Sequence, residues 1–491
     1  MAHGCPYFDI DHVPLSEYIP PLGVSVDNDT CDDFNIIKVH GANRYGILQK
    51  IIQVMSDLDL NISKSYISSD GGWFMNSFHV TDHQGHKIKD SNLIKYMQDS
   101  LNFVQKERGS CSTTQVKIRN GNIVTVNHFG SDCAALEITF FDRPGIFSEI
   151  CTLLFEHSYF VDSGDLWTYN GIAACVLYIK EQDNVGRHIM DEDRLDYLGE
   201  YVASILDARH SPGELFTVEI KNPPDRQIHT ERRLHQMMNK YMDYDVKTLS
   251  LSIKSDQSTL ATTKEAKRNF VGVVEGNVEC LPQVLIENWQ YRDYLVLNVR
   301  SRDRPKLIFD VVCTLTDLNY DIFHGSICSE DDVIVQEYFV RHTNGSIILS
   351  EMEKHNTFQR LVAAIERRIS RGLKMEMLTY DRHDLLSNVS RTLKENNLSL
   401  NNMKFAKENE LIVGSFYITD ASSSTSTNAI DQQKLAAVSN EIGQGVFLEK
   451  KNDCIVSPST RSWSLFTRLM SLGRRLWSHI KRLFSTLSFI R

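Results

Sequence analysis

Apolar positions follow two periods along this chain, and they switch from one to the other in the same way at four places. At each, a β-type run gives way to a short polar turn: Asn43-Arg44-Tyr45-Gly46, Asp142-Arg143-Pro144-Gly145, Asp303-Arg304-Pro305-Lys306 and Asp381-Arg382-His383-Asp384. Beyond each turn the apolar residues fall three and four apart. They are Ile47, Leu48, Ile51, Ile52 and Met55 after the first turn, and Ile146, Phe147, Ile150, Cys151 and Leu154 after the second. The third is followed by Leu307, Ile308, Val311, Val312 and Leu315, and the fourth by Leu385, Leu386, Val389 and Leu393. This spacing predicts an amphipathic helix of about three turns in every copy.

The segment after each helix reads as a hairpin, with Asp70-Gly71-Gly72 and Asn170-Gly171 as turns that tolerate positive φ. A step of 38 residues from each turn arginine reaches Asp82, Glu181, His342 and Asp420, each two residues after Val80, Ile179, Val340 or Ile418. A second helical stretch follows in copies one to three, as in Leu195, Leu198, Val202 and Leu206, or Phe358, Leu361, Ala364 and Ile365. The order strand, helix, strand, strand, helix, with a final strand expected, is the ferredoxin-like βαββαβ plan of an α+β protein, here in four tandem units. The expected boundaries are 34–118, 134–207, 292–371 and 372–450, after a lead-in over 1–33. The turn arginines 304 and 382 are 78 apart but 143 and 304 are 161 apart, which leaves a polar insert or linker over 208–291. Its basic run Arg226 to Arg233, with Arg232 and Arg233, reads either as a partner-docking segment or, more commonly for a short charged run, as a solvated face, and Ser252 to Lys267 reads as a loop or disordered stretch. Covering edge strands with the nearest neighbour would pair unit one with two and three with four.

Charge divides the chain. The net charge is -10, yet residues 461–491 hold seven Lys and Arg with no Asp or Glu, so residues 1–460 carry -17. Such a body lacks the basic stripe that phosphate binding needs, which argues against nucleic acid as a partner. In the tail, 455–491, Phe466, Leu469, Met470, Leu476, Trp477, Ile480, Leu483, Phe484 and Leu487 recur at helical steps between arginines. A basic amphipathic helix there suits an anionic membrane surface, an acidic partner groove or the acidic body itself, and it is too interrupted by charge to span a bilayer. The 10 cysteines form no CxxC pair or zinc spacing, and the first residues form no apolar signal region. The expected setting is intracellular, cytoplasmic or nuclear, with peripheral membrane association through the tail. No GxGxxG, GxxxxGK[ST], HExxH or GxSxG is present, so neither an enzyme, a metal site nor a cofactor is expected.

Several phrases are long enough to be specific. Tyr66-Ile67-Ser68-Ser69-Asp70-Gly71-Gly72-Trp73-Phe74-Met75, the insert phrase His229-Thr230-Glu231-Arg232-Arg233-Leu234-His235-Gln236-Met237-Met238, and the Asp-Arg-Pro turns resemble the plant ACR family of ACT-domain repeat proteins. Val26-Asp27-Asn28-Asp29-Thr30-Cys31 is similar to its amino-terminal lead-in. The resemblance covers residues 25–450. It implies tandem ACT domains, modules that bind amino acids where the first turn of one unit faces a strand of its partner, with no catalytic domain attached. It also implies ligand-binding roles for Asn43, Gly46, Asp142 and Gly145. Asp303 and Asp381 are the weaker candidates, because Lys306 and Asp384 stand where the first two turns have glycine. In the first turn, Tyr45 replaces proline.

The chemistry of such a turn suits a zwitterion. An Asp or Asn accepts from the ammonium, a helix N-terminus offers N–H groups to the carboxylate, and glycine leaves room for close approach. The same residues also serve as ordinary helix caps. The reading is therefore a noncatalytic amino acid-binding regulatory or sensor protein that acts on a downstream protein. The alternatives are a ligand-free protein interaction scaffold and a regulatory subunit of a metabolic enzyme.

Overall fold

The computed structural model describes residues 22–70, 72–103, 115–119, 122–126, 133–181, 192–222, 229–244, 282–289, 294–330, 332–345, 349–369, 372–380, 382, 384–408, 411–421, 430–442 and 446–449. The basic tail over 455–491, Asp381 and His383 lie outside the described residues. Each strand-to-helix switch falls where the periodicity puts it. The first segment runs β1 (Gly23–Asp27), β2 (Asn35–Ala42), α1 (Ile47–Asp57), β3 (Asn61–Asp70), β4 (Trp73–Thr81) and α2 (Ser91–Phe103), followed by a separate hairpin of β5 (Gln115–Arg119) and β6 (Asn122–Val126). The second runs β7 (Ala134–Phe141), α3 (Ile146–Glu156), β8 (Tyr159–Tyr169), β9 (Ile172–Glu181), α4 (Glu192–Arg209) and β10 (Thr217–Lys221), with α5 (Thr230–Lys240) after it. The third comprises β11 (Gln283–Trp289), β12 (Tyr294–Arg302), α6 (Leu307–Asp317), β13 (Tyr320–Glu330), β14 (Val333–His342) and α7 (Glu351–Arg367). The fourth comprises β15 (Leu373–Tyr380), α8 (Leu385–Glu395), β16 (Leu398–Glu408), β17 (Leu411–Asp420), α9 (Gln432–Ile442) and β18 (Val446–Glu449).

The repeats do not pair with their neighbours in sequence. Two eight-stranded sheets form, in the orders β1-β2-β4-β3-β13-β14-β12-β11 and β10-β7-β9-β8-β16-β17-β15-β18. Repeat one therefore joins repeat three, and two joins four, which corrects the expected one-two and three-four pairing. Each join is antiparallel, between β3 and β13 in the first unit and between β8 and β16 in the second. The register is symmetric. Leu307 starts its helix 260 residues after Ile47, and Ser326, which lies opposite Tyr66, is also 260 residues further on. In the second unit, Leu385 follows Ile146 by 239, and Lys404 lies opposite Asp165 at the same interval. Each join is thus centred on a pair of equivalent positions, so two repeats are related by a local twofold.

The edge strands differ from expectation as well. In repeats two and four the last strand, β10 or β18, completes βαββαβ beside β7 or β15. In repeats one and three that place is taken by β1 or β11, which precede the repeat. The reason in repeat one is local: Asp27 accepts hydrogen bonds from the backbone N–H of Asp29 and Thr30 and from the Thr30 hydroxyl, closing the β1–β2 hairpin. The lead-in phrase is that loop.

In the second unit, β7 and β9 are buried along nearly their whole length. Their alternate residues enter different cores. Leu136, Ile138, Cys175, Leu177 and Ile179 pack with α3, α4, α8 and α9, while Cys133, Ala135, Ala174, Val176 and Tyr178 face Leu234, Met237 and Met238 of α5. The insert phrase therefore forms a covering helix and not a linker, and its Glu231 and Arg233 are held in ion pairs, while Arg226 lies outside the described residues. Arg233 pairs with Glu137 and Glu219, and the 2 % exposed Glu231 pairs with Arg368 and Lys404, each at 3.2 Å. Arg367 makes a bidentate pair with Asp243 at 2.5 Å, both essentially out of solvent, and donates to His235 Nδ1 at 3.1 Å.

Truncating Leu234 to Ala should cost about 3 kcal/mol, the range for a fully buried leucine, and lower the urea midpoint of the second unit. An unchanged midpoint would mean that α5 is not a structural cover. Asp243→Asn should cost roughly 3–5 kcal/mol by stranding a buried guanidinium, whereas the double change with Arg367→Met should recover most of that loss, as a double-mutant cycle by denaturant unfolding would show.

Candidate ligand sites at the repeat turns

The turns share one backbone plan. The first residue's N–H donates to the tip of its own repeat's hairpin: Asn43 to Gly72 O at 2.6 Å, Asp142 to Gly171 O at 2.8 Å, and Asp303 to Asp332 O at 2.7 Å. The arginine carbonyl then accepts from the first helical residue, Ile47, Ile146, Leu307 or Leu385. The residue before the helix has φ of 79° at Gly46, 95° at Gly145 and 65° at Lys306. Left-handed backbone is thus a sufficient reason for glycine there, since nothing stands within 4 Å of a Cβ built on Gly46. In none of the four helices does a side chain at the cap position bond the first-turn N–H groups.

The recurring arginine has a bracing role. Arg143 donates to the carbonyl of Arg209 at the end of α4 and to both Glu214 oxygens, at 2.7 and 2.6 Å. Arg382 reaches the carbonyl of Ile442 at the end of α9, at 3.4 Å. Arg304 instead pairs with the fully buried Asp310 at 2.7 Å. A cation at a helix C-terminus meets carbonyls that lack intrahelical partners, so two of these arginines tie the first turn of a repeat to its second helix.

Twofold pairing sets the turn of one repeat beside the start of a strand in the other. At the third turn this leaves an open cleft of about 320 Å³ lined by Asp303, Lys306, Ser329 and Asp332, with Ser56 of α1 and Asn61 of β3 across from them. The Ser329 hydroxyl donates to Asp303 Oδ2, and burial raises the Asp303 carboxyl above the ordinary 3.8, partly offset by that bond. At the fourth turn a cavity of about 350 Å³ is lined by Arg382 and Ser387 with Phe155, Asp162, Lys180 and Lys407.

At the first two turns the protein's own side chains cross between the repeats. The Tyr45 hydroxyl donates to the Thr316 carbonyl, and Thr316 is the twofold equivalent of the cavity-lining Ser56. At the second turn, a Cβ built on Gly145 would meet Lys394 Cε at 2.6 Å and Nζ at 2.9 Å. Lys394 also lies 3.2 Å from Glu149, which Arg209 grips from the other side, and it is the equivalent of the cavity-lining Phe155. Asp142 sits beside this filled space, and desolvation pushes its carboxyl up to about 6. Cavities thus lie at the third and fourth turns, and Lys394 occupies the space beside Gly145 at the second. Sequence reasoning missed Ser329 and Asp332, at the hairpin of their own repeat, and Asn61 and Lys180, which the sheet join or fold brings in.

Comparison with known proteins finds relatives along most of the chain. Residues 30–108 match the ACR family N-terminal ACT domain. Across the chain, the ACT domain-containing protein ACR4 of Arabidopsis thaliana is 37% identical over 444 residues, 90% of each chain. ACR3 of the same plant is 38% identical over 447 residues, covering 91% of each, and ACR1 is 34% identical over 487 residues, covering 97% of each. The chain belongs to the ACR family of ACT domain-containing proteins.

Proposed function

We propose that this protein is a noncatalytic amino acid-binding regulatory protein whose ligand enters the open cavities, with the third turn as the principal site. The observation that carries this is the cleft at the third turn, where an acidic acceptor and a helix N-terminus line one space. Asp303 accepts from the ligand ammonium, and the first N–H groups of α6 receive the carboxylate. Ser56 and Asn61 belong to the other repeat, so a bound ligand contacts both halves of the twofold. It then favours whichever packing of the repeats closes on it, and a downstream protein that distinguishes the packings reads the ligand. Asp142 and Gly145 belong to a site that Lys394 enters as a tethered ammonium, whereas the space beside Gly46 is open, so Asn43 and Gly46 remain candidates for a further ligand.

A thermal-shift series against the twenty amino acids should find stabilising ligands, with about 2.7 kcal/mol expected at a hundredfold excess over Kd. Asp303→Ala should remove the principal site in calorimetry, while Asp142→Ala should leave it intact. Equal binding by Asp303→Ala and parent would sink the assignment, and no binding of any amino acid would favour the scaffold. Because the ligand ammonium needs Asp303 ionised, affinity should fall as pH drops through its raised carboxyl pKa, starting above the ordinary carboxylate range.

Lys394→Ala should open the second turn and add one bound amino acid per chain. An unchanged stoichiometry would show that Asp142 and Gly145 do not form a latent site.

A further inference from the structure

A side chain that bridges the two repeats at the first turn is replaced by proline at the third, and what it leaves behind describes a ligand. This inference rests on the amino acid-binding reading above. The local twofold relates Tyr45 to Pro305 and Thr316 to Ser56, each pair 260 residues apart in the register that sets Tyr66 opposite Ser326. Both Pro305 and Ser56 line the third-turn cleft. At the first turn the Tyr45 side chain spans from the turn to the end of α6, where its hydroxyl donates to the Thr316 carbonyl. A proline ring is too short for that reach and carries no hydroxyl, so at the third turn the end of α1 borders the cleft instead.

The two helix ends are alike in backbone and differ in their side chains. Each carbonyl accepts the N–H three residues on, Thr316 from Asn319 at 2.9 Å and Ser56 from Asp59 at 3.2 Å. The Thr316 hydroxyl turns back on the Val312 carbonyl at 2.9 Å. The Ser56 hydroxyl has no hydrogen-bond partner, although Ser56 is only 6% exposed. A buried hydroxyl left unpaired is costly, so a ligand group that reaches it gains what the protein does not supply. The cleft also has apolar walls in Ile52, Leu60, Ile62 and Ile308, which suit a ring. Its volume of about 320 Å³ lies at the lower end for small-molecule sites, about 300–1,000 Å³.

We propose that the third-turn cleft takes an amino acid with a hydroxylated aromatic side chain. Its ammonium goes to Asp303 and its carboxylate to the start of α6, while the phenol reaches the end of α1. There the phenol donates to the Ser56 carbonyl, as Tyr45 donates to that of Thr316, and lies beside the Ser56 hydroxyl. Tyr45 is in this sense a tethered copy of the ligand's side chain, carried by repeat one instead of bound from solution.

The test is calorimetry on the full chain with tyrosine, phenylalanine and leucine. Tyrosine should bind about tenfold tighter than phenylalanine, the span of one hydrogen bond, and phenylalanine tighter than leucine. Tyrosine binding should be lost in Asp303→Ala and in Pro305→Tyr, which gives the third turn the side chain that the first turn carries, while thermal unfolding of Pro305→Tyr stays cooperative. Ser56→Ala, a smaller change, should narrow the gap between tyrosine and phenylalanine. Tyrosine binding undiminished in Pro305→Tyr overturns the inference, as does phenylalanine binding as tightly as tyrosine. If Pro305→Tyr does not fold, the ligand order on the parent and on Ser56→Ala decides, and a gap that Ser56→Ala leaves unchanged overturns the placement. An Asp303-sensitive site that prefers leucine or another aliphatic amino acid overturns this inference alone, whereas binding of no amino acid overturns it together with the functional reading.

Discussion

The hydrogen-bonded join between two central strands, β3 with β13 and β8 with β16, is the constraint on which the rest depends. An isolated ferredoxin-like repeat leaves this strand as an edge with unpaired backbone groups, which water or another strand must satisfy. Joining two such edges antiparallel removes both at once and centres the pair on equivalent residues. It also brings the first helices together, α1 against α6 and α3 against α8. The helix N-terminal turn of one repeat then lies over the start of a strand in the other. The candidate ligand sites follow from that one pairing, because no repeat alone supplies both walls.

A local twofold makes two equivalent positions, yet sequence divergence lets each pair use them differently. Tyr45 stands where the third turn has Pro305, and its hydroxyl reaches the carbonyl of Thr316. Lys394 stands where repeat two has Phe155, and its ammonium reaches Glu149.

The repeats were legible in the sequence because each carries its own signals. The polar turn, the helical spacing of Ile146, Ile150 and Leu154, and the hairpin Asn170-Gly171 are all local. The pairing of repeats was not, since β3, β8, β13 and β16 offer similar edges and the choice among them lies in contacts between distant segments. Proximity in sequence favoured one with two, and the structure has one with three. The covering helix had a signal that alternation alone overlooks: Ile172-Ala173-Ala174-Cys175-Val176-Leu177-Tyr178-Ile179 has no polar face, which requires cover on both sides. Of the candidate site, Asp303 was readable as a turn acid, whereas Lys180, Ser329 and Asn61 carry no local mark of a site.

Lys306 shows how a residue can mislead when one physical cause is read for another. Glycine at the first two turns suggested close approach of a ligand, and lysine at the third then counted against a site. The backbone there is left-handed in all three, at 79°, 95° and 65°, so the position first answers a conformational demand. Lysine meets that demand at a modest cost in strain, which the surrounding bonds of Asp303 to Asp332 and Leu307 to Arg304 help to hold. Its long side chain can then line the cavity without filling it, while at the second turn the glycine leaves space that Lys394 enters. What stands beside a turn is therefore set by the other repeat in one case, Lys394 at the second turn, and by the turn residue itself in another, Tyr45 at the first.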